Sequence, residues 1–344
     1  MEWERKTIKV GAIVICLAVL LRLLAGGMWD KLIYALTSPR AVTTMLFLET
    51  GRVVRPGGET LPTETVPIPA ETATEPAVAM PTETESIEEN KIQAVFSAAD
   101  AALVEVRSAC GYTADVAGGL TKQLTWDLTG EGPTVLIIHS HGTESYENTE
   151  GYQPSSGSRT KDPAYNMISV GDRLVQILEQ GGIKAVHDRD AHDDPSYSDA
   201  YNNSRKSVES YLEAYPTIRL VLDLHRDAVE DEDGAQMGFS VTANGKSAAR
   251  LMLVVGSDAG GLRHPYWGEN MSLAVKLHAQ LEKNTPGICR PISFRSQRFN
   301  QDLSQGALIV EVGAAGNTRQ EALNAVELLG QAIIDLAHGT SACE

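Results

Sequence analysis

Cysteine is scarce in this chain: four in 344 residues, Cys16, Cys110, Cys289 and Cys343, with no CxxC pair among them. That spacing excludes a zinc ribbon, a thioredoxin-type redox motif and a disulfide-dense scaffold, and it leaves any metal to histidine and carboxylate. Positive charge is also short, with 29 Lys and Arg against 45 Asp and Glu and a net charge of -16. Nucleic acid is therefore excluded as a partner, because that binding rests on basic patches that offset phosphate charge. No GxSxG elbow and no HExxH helix is present, and the Gly-rich DAGGL lacks the Lys and Ser/Thr of a phosphate-binding loop. Serine hydrolases, zincins and P-loop enzymes drop out on those grounds.

What is present begins with a basic flank, Arg5, Lys6 and Lys9, followed by the apolar run GAIVICLAVLLRLLAGGMW. Val10 to Trp29 is 20 residues, about the length that crosses the hydrocarbon core as a helix. Arg22 stands near its outer end, where a long cationic side chain can snorkel, and Trp29 would sit at the interface. Residues 10–29 therefore read as a membrane anchor behind a cytoplasmic segment, 1–9, with the body outside the cytoplasmic membrane. A cleaved signal at Ala25-Gly26-Gly27 and a buried amphipathic helix are the competing readings. Lys31, Arg40, Arg52 and Arg55 in the juxtamembrane segment, 30–55, weaken the orientation argument. Residues 56–90 hold six prolines, eight glutamates and no basic residue, half of the net negative charge. Such a stretch cannot bury a core and reads as a disordered, extended tether.

From residue 91 the composition is that of a folded domain. TVLIIHS, IKAVHD, IRLVLDLH, RPISFRS and ALIVEVG read as strands. Residues 166–180, 198–215, 269–283 and 318–337 read as helices, and Asn244-Gly245 as a hairpin turn. This alternation predicts an α/β fold with a mixed, largely parallel central sheet flanked by helices. Ligands of such sheets gather beyond the carboxyl ends of the strands.

Three strands carry ionisable side chains there. One brings His139, His141 and Glu144, a second His225, Arg226 and Asp227, and a third Glu311. Two imidazoles and a carboxylate are a zinc donor set with a position left for water, and a further carboxylate can move the proton in amide hydrolysis. His139 is either a ligand in place of His141 or a neighbour hydrogen-bonded to backbone. Glu311 is either catalytic or half of a buried ion pair with Arg226 or Arg295. Arg226 and Asp227 either orient His225, polarise the scissile carbonyl or pair elsewhere. The loop from His187 to Asp194 reads as a solvated, charge-rich rim or, by its His and Asp residues, as a second metal site, while His264, His278 and His338 read as surface residues.

VLIIHSHGTESY, HDRDAHDDPSYSDAYNNSR, VLDLHRD and LIVEVGAAGNT, in this order, resemble the stage II sporulation protein P family of membrane-tethered cell-wall hydrolases, related to the zinc-dependent N-acetylmuramoyl-L-alanine amidases. The resemblance implies zinc held by His141, His225 and a carboxylate, Glu144 by its place in HSHGTES, with Glu147 and Glu150 as alternatives. It implies Glu311 as the catalytic glutamate. His139 and Asp227 would support the ligands, Arg226 would act in the site, and Tyr197, Tyr201, Asn202 and Arg205 would contact glycan or peptide. It further implies that the substrate is peptidoglycan, cut between muramic acid and L-alanine and at cross-links as well. The setting would be septal thinning and engulfment, with sporulation proteins D and M as partners. A catalytically inactive wall-binding scaffold of the same fold is the rival reading.

Overall fold

A computed structural model describes residues 96–124, 126–147, 149–152 and 157–339. The expected anchor, juxtamembrane segment and tether lie outside the described residues. Among the described residues no helix is long and apolar enough to cross a membrane.

In chain order the strands are β1 (Val106–Ser108), β2 (Val135–Ile138), β3 (Ala185–His187), β4 (Leu220–Asp227), β5 (Ser240–Ala243), β6 (Lys246–Ala249), β7 (Leu251–Val255), β8 (Ile292–Phe294) and β9 (Ala307–Ala314). The helices are α1 (Val116–Thr121), α2 (Met167–Gln180), α3 (Ala200–Ala214), α4 (Trp267–Asn284) and α5 (Arg319–His338). Seven strands form one sheet in the order β1-β8-β7-β9-β4-β2-β3. Every neighbouring pair is parallel except β7 with β9. The mixed, largely parallel sheet read from the alternation of elements is thus the one observed.

The four residues of β2 are all buried, and β4 and β9 are buried along nearly their whole length, which is why they read as continuous apolar runs rather than alternating ones. Alternate residues go to opposite faces. Val135, Ile137, Leu222, Leu224, Leu308 and Val310 join the larger core beneath α2, α4 and α5. Leu136, Ile138, Val221 and Ala307 join a smaller core with Val208 of α3.

The starts of α2 and α5 follow capping chemistry. The Asn166 side chain accepts from the Ile168 amide at the head of α2, and Thr318 with Glu321 forms a capping box at the head of α5. Asn244 and Gly245 both take positive φ, 49° and 75°, and close β5 onto β6 as an antiparallel hairpin.

Two expectations fail here. His264 and His278 are buried, not on the surface, because each faces into packed structure under or beside the sheet; His338 alone is exposed. The loop from His187 to Asp194 is no solvated rim either. Asp188, His192 and Asp193 are buried, with Asp188 Oδ2 3.0 Å from His192 Nε2 and Asp193 accepting from Thr143. The contact between Asp188 and His192, the Arg159 guanidinium 2.8 Å from Asp193 and the donors of Thr143 make that burial tolerable.

Candidate functional site

β2, β4 and β9 run parallel, so their carboxyl ends open on the same edge of the sheet. Register then places the chemistry. His225 of β4 stands directly opposite Glu311 of β9, and both lie on the face that α3 covers. Just beyond them the chain departs from regular pairing, with a register shift between His225 and Asp227. Such a bulge re-aims side chains at a strand end.

The turn after β2 brings His141 and Glu144 to His225. The two imidazole rings lie 5.4 Å apart, and Glu144 Oε2 is 3.5 Å from His225 Nδ1. The other nitrogen of His225, Nε2, is 2.9 Å from Asp223 Oδ1. Asp223 is itself fixed by the Ser140 amide and hydroxyl, 2.8 and 2.6 Å away. His141 Nδ1 is buried without a hydrogen-bond partner, 3.9 Å from Asp193 Oδ2. Burial and then the charge of His225 hold His141 down to about 4, a neutral imidazole at neutral pH. Burial also opposes ionisation of His225 and Glu144, but here the partners win. Asp223, Tyr201 and Glu144 raise His225 well above its ordinary value, while His225 and Arg226 lower Glu144 to about 2.

Arg226 is buried and spent on the loop. Its Nε donates to the Ser145 carbonyl at 3.0 Å, Nη2 to the Ser158 carbonyl at 2.9 Å, and its backbone amide to Glu144 Oε2 at 3.2 Å. It therefore fixes Glu144 and the loop around it instead of facing a substrate. Asp227 turns to Arg290, 2.8 Å away, and the structure does not bring it to His225.

Glu311 carries an orphaned oxygen, since Oε2 is buried with no hydrogen-bond partner. Among the described residues no ion pair joins it to Arg226 or Arg295, so the buried-pair reading has no support. Burial pushes its carboxyl up to about 8, with the charge of Glu144 adding to the rise and that of His225 opposing it. A carboxyl poised near neutrality can both take and give a proton.

His139 goes elsewhere for a reason of parity. Val135, Ile137 and His139 alternate onto the α2 face, where Nδ1 meets the Leu224 carbonyl at 3.1 Å and Nε2 meets His187 Nε2 at 2.8 Å. Both nitrogens are engaged, and His139 is no ligand in place of His141. Glu147 is exposed and accepts from Ser158, and Glu150 is exposed, so of the three carboxylates weighed only Glu144 lies among the histidines.

Of the substrate candidates, Tyr197 is 57% exposed and stacks on His141 with ring centroids 4.2 Å apart, and Tyr201 meets the same ring edge-on at 5.6 Å. Asn202 is exposed on α3. Arg205 is tied to Asp302 by a two-pronged ion pair, 2.9 and 3.1 Å, and to Glu209, which makes it a structural residue. Three residues of the site escaped the sequence reading. Asp223 had a signal, a carboxylate in the apolar run VLDLH with the parity of His225. Asp193 was weighed only within the charge-rich run, as rim or second metal site, and not as a neighbour of His141. Arg159 had none, yet its guanidinium covers the Tyr197 ring at 4.4 Å and reaches Asp193 at 2.8 Å and Glu144 at 3.3 Å.

His141, Glu144 and His225 thus offer an imidazole nitrogen without a hydrogen-bond partner, a carboxylate and a second imidazole near Asp223, donor types that suit zinc, although their ligand atoms do not all lie within 4.8 Å of one another as they stand.

Among solved structures, the chain is similar to N-acetylmuramoyl-L-alanine amidase AmiC2 of Nostoc punctiforme, at 16% identity and a TM-score of 0.35 over 61% of this chain and 98% of that one. It is also similar to the CwlD amidase from Clostridioides difficile in complex with the GerS lipoprotein, at 12% identity and a TM-score of 0.37 over 60% and 97% of the two chains. Scores this low decide nothing about this chain. The stage II sporulation protein P of Bacillus subtilis (strain 168) is 30% identical over 204 residues, 56% of this chain and 48% of that protein. The match thus spans about half the length of that relative. The family model of stage II sporulation protein P matches residues 57–334, most of the 344, and the chain belongs to that family.

Proposed function

We propose that this chain is a zinc-dependent peptidoglycan hydrolase, cleaving the amide between N-acetylmuramic acid and the L-alanine of the stem peptide during sporulation. The observation that carries the reading is the Asp223–His225–Glu144 arrangement beside the unpartnered nitrogen of His141. Each imidazole nitrogen of His225 lies near a carboxylate, Nε2 2.9 Å from Asp223 Oδ1 and Nδ1 3.5 Å from Glu144 Oε2, which supports reading Asp223 as the outer partner of a zinc histidine. Zinc held by His141, Glu144 and His225 would bring the pKa of a water toward neutrality and polarise the scissile carbonyl. Glu311 would take the proton of the attacking water and return it to the leaving nitrogen. Tyr197 and Tyr201 offer ring faces for sugar or peptide at the open side of His141.

Endopeptidase action on cross-links, attachment to the cytoplasmic membrane through residues 10–29 with the catalytic body outside, and work beside sporulation proteins D and M belong to the same proposal. They rest on family membership and on the apolar N-terminal run.

The test is release of stem peptides from purified peptidoglycan by the full-length chain in detergent, with and without a chelator, alongside Glu311→Gln and His225→Ala. Peptides with N-terminal L-alanine that disappear on chelation and in both variants are the expected result. Wall binding with no release, even with the transglycosylase-type partner added, would overturn the reading in favour of an inactive scaffold.

A further inference from the structure

The cysteine spacing left metals to histidine and carboxylate, and His278 was read as a surface residue. The fold reverses both statements at one place. His278 and Glu282 lie one turn apart on α4 and so project from the same side of that helix. Cys289 follows on the segment that leads into β8, beside Leu251 of β7. One ligand atom from each of the three, a ring nitrogen, a carboxylate oxygen and the thiol sulfur, lies within 4.8 Å of the other two. A tetrahedral zinc with bonds of about 2.0–2.3 Å sets its ligands roughly 3.3–3.8 Å apart, so closure asks about an ångström of side-chain adjustment.

His278 and Glu282 are placed as ligands, and Cys289 as a thiol that must give up its proton to become one. His278 is 3% exposed, and its Nδ1 has no hydrogen-bond partner. Burial favours the neutral form of the ring. An orphaned nitrogen in so buried a place costs free energy unless something binds it. Glu282 is held in position by the Gly287 amide on Oε2 at 2.8 Å and the Cys289 amide on Oε1 at 2.7 Å. Cys289 is 6% exposed and a free thiol, kept protonated by burial and by the neighbouring carboxylate.

We propose that His278, Glu282 and Cys289 form a second metal site, separate from the histidine-carboxylate crevice, that takes a divalent ion of the zinc class. The thiol makes the choice of metal: sulfur with imidazole selects zinc-like ions over magnesium or calcium. Binding replaces the proton on Cys289, which passes to solvent, by the ion, and no electron is exchanged. The ion would pin the end of α4 to the strand segment that follows. Arg290, the next residue, reaches from that segment to Asp227 at the end of β4, so the pin would also steady one wall of the crevice.

Cobalt(II) distinguishes the two sites, because only a cysteine ligand gives a thiolate-to-cobalt charge-transfer band in the near ultraviolet, and the crevice contains none. The full-length chain titrated with cobalt should develop this band. It should persist in His141→Ala/His225→Ala and in Cys110→Ser, and vanish in Cys289→Ser. Zinc should compete the band away and raise the melting temperature of the wild type more than that of Cys289→Ser. Circular dichroism of Cys289→Ser, a near-isosteric change, checks that it folds, and Glu282→Gln gives a second variant in which the band should weaken at least tenfold in cobalt affinity. Absence of the band in wild type, or its survival in Cys289→Ser, would overturn the proposal. Neither result depends on amidase activity.

Discussion

Asp223 and His225 stand two residues apart on one face of β4, and their side chains meet, Oδ1 to Nε2, at 2.9 Å. The carboxylate lies against the nitrogen turned away from Glu144 and so favours the ring position in which Nδ1 faces Glu144. Asp223→Asn would keep the shape and lose that bias. Zinc affinity and stem-peptide release should each fall about 10- to 100-fold. Metal content after dialysis against a graded chelator, set beside the activity, measures both.

Glu311→Gln removes the proton carrier and leaves the proposed ligands in place. Turnover should drop by about 10²- to 10⁴-fold with zinc retained. A variant that lost metal and activity together would make Glu311 a ligand.

The same residue sets a pH dependence in the metal-free protein. Its folded carboxyl is raised from 4.5 to about 8, so the native state keeps a proton that the unfolded chain gives up. Stability from this group is thus complete below about 4.5 and declines as pH rises to about 8, after which the loss is constant. Thermal melts of chelated wild type should show that decline, and Glu311→Gln should flatten it.

Gly171 of α2 passes so near the His139–His187 pair that a Cβ there would sit 2.6 Å from His139 Nε2 and 2.5 Å from His187 Nε2. Both rings are tied in place, His139 to the Leu224 carbonyl and His187 to Asp172. Gly171→Ala should destabilise by about 1–3 kcal/mol, read from the urea midpoint. Unchanged stability would mean that α2 shifts freely against the sheet.

Arg226→Met would leave Glu144 buried beside fewer donors and free two loop carbonyls. A loss of about 3–5 kcal/mol is expected. Glu144 should then titrate higher, which carbon-13 NMR of its carboxyl can follow.

Much of this was legible in the chain. The strands bearing His225 and Glu311 announce themselves as apolar runs too buried to alternate, and the rule that ligands gather at strand ends did the rest. α1 was not legible, because VAGGLT has two glycines and little helix propensity. Gly119 is needed there because a Cβ would lie 2.8 Å from Val275 of α4, so packing decides that helix. Arg159 escaped because its place depends on a loop that comes back against Glu144 through tertiary contacts alone. The misread histidines, His264 and His278, share a cause. Polar residues on amphipathic helices or beside proline look exposed until the layer that covers them is known.

The grip of Arg226 on the loop has a kinetic side. Its bond to the Ser145 carbonyl joins residues 81 apart, and nothing local substitutes for it. Closing such a span costs chain entropy before it returns any contact, so β4 must already lie beside β2 when the loop around Glu144 is fixed. During refolding, amide protection should therefore reach Leu222 and Leu224 before Ser145. On that order the crevice is completed on a sheet already formed.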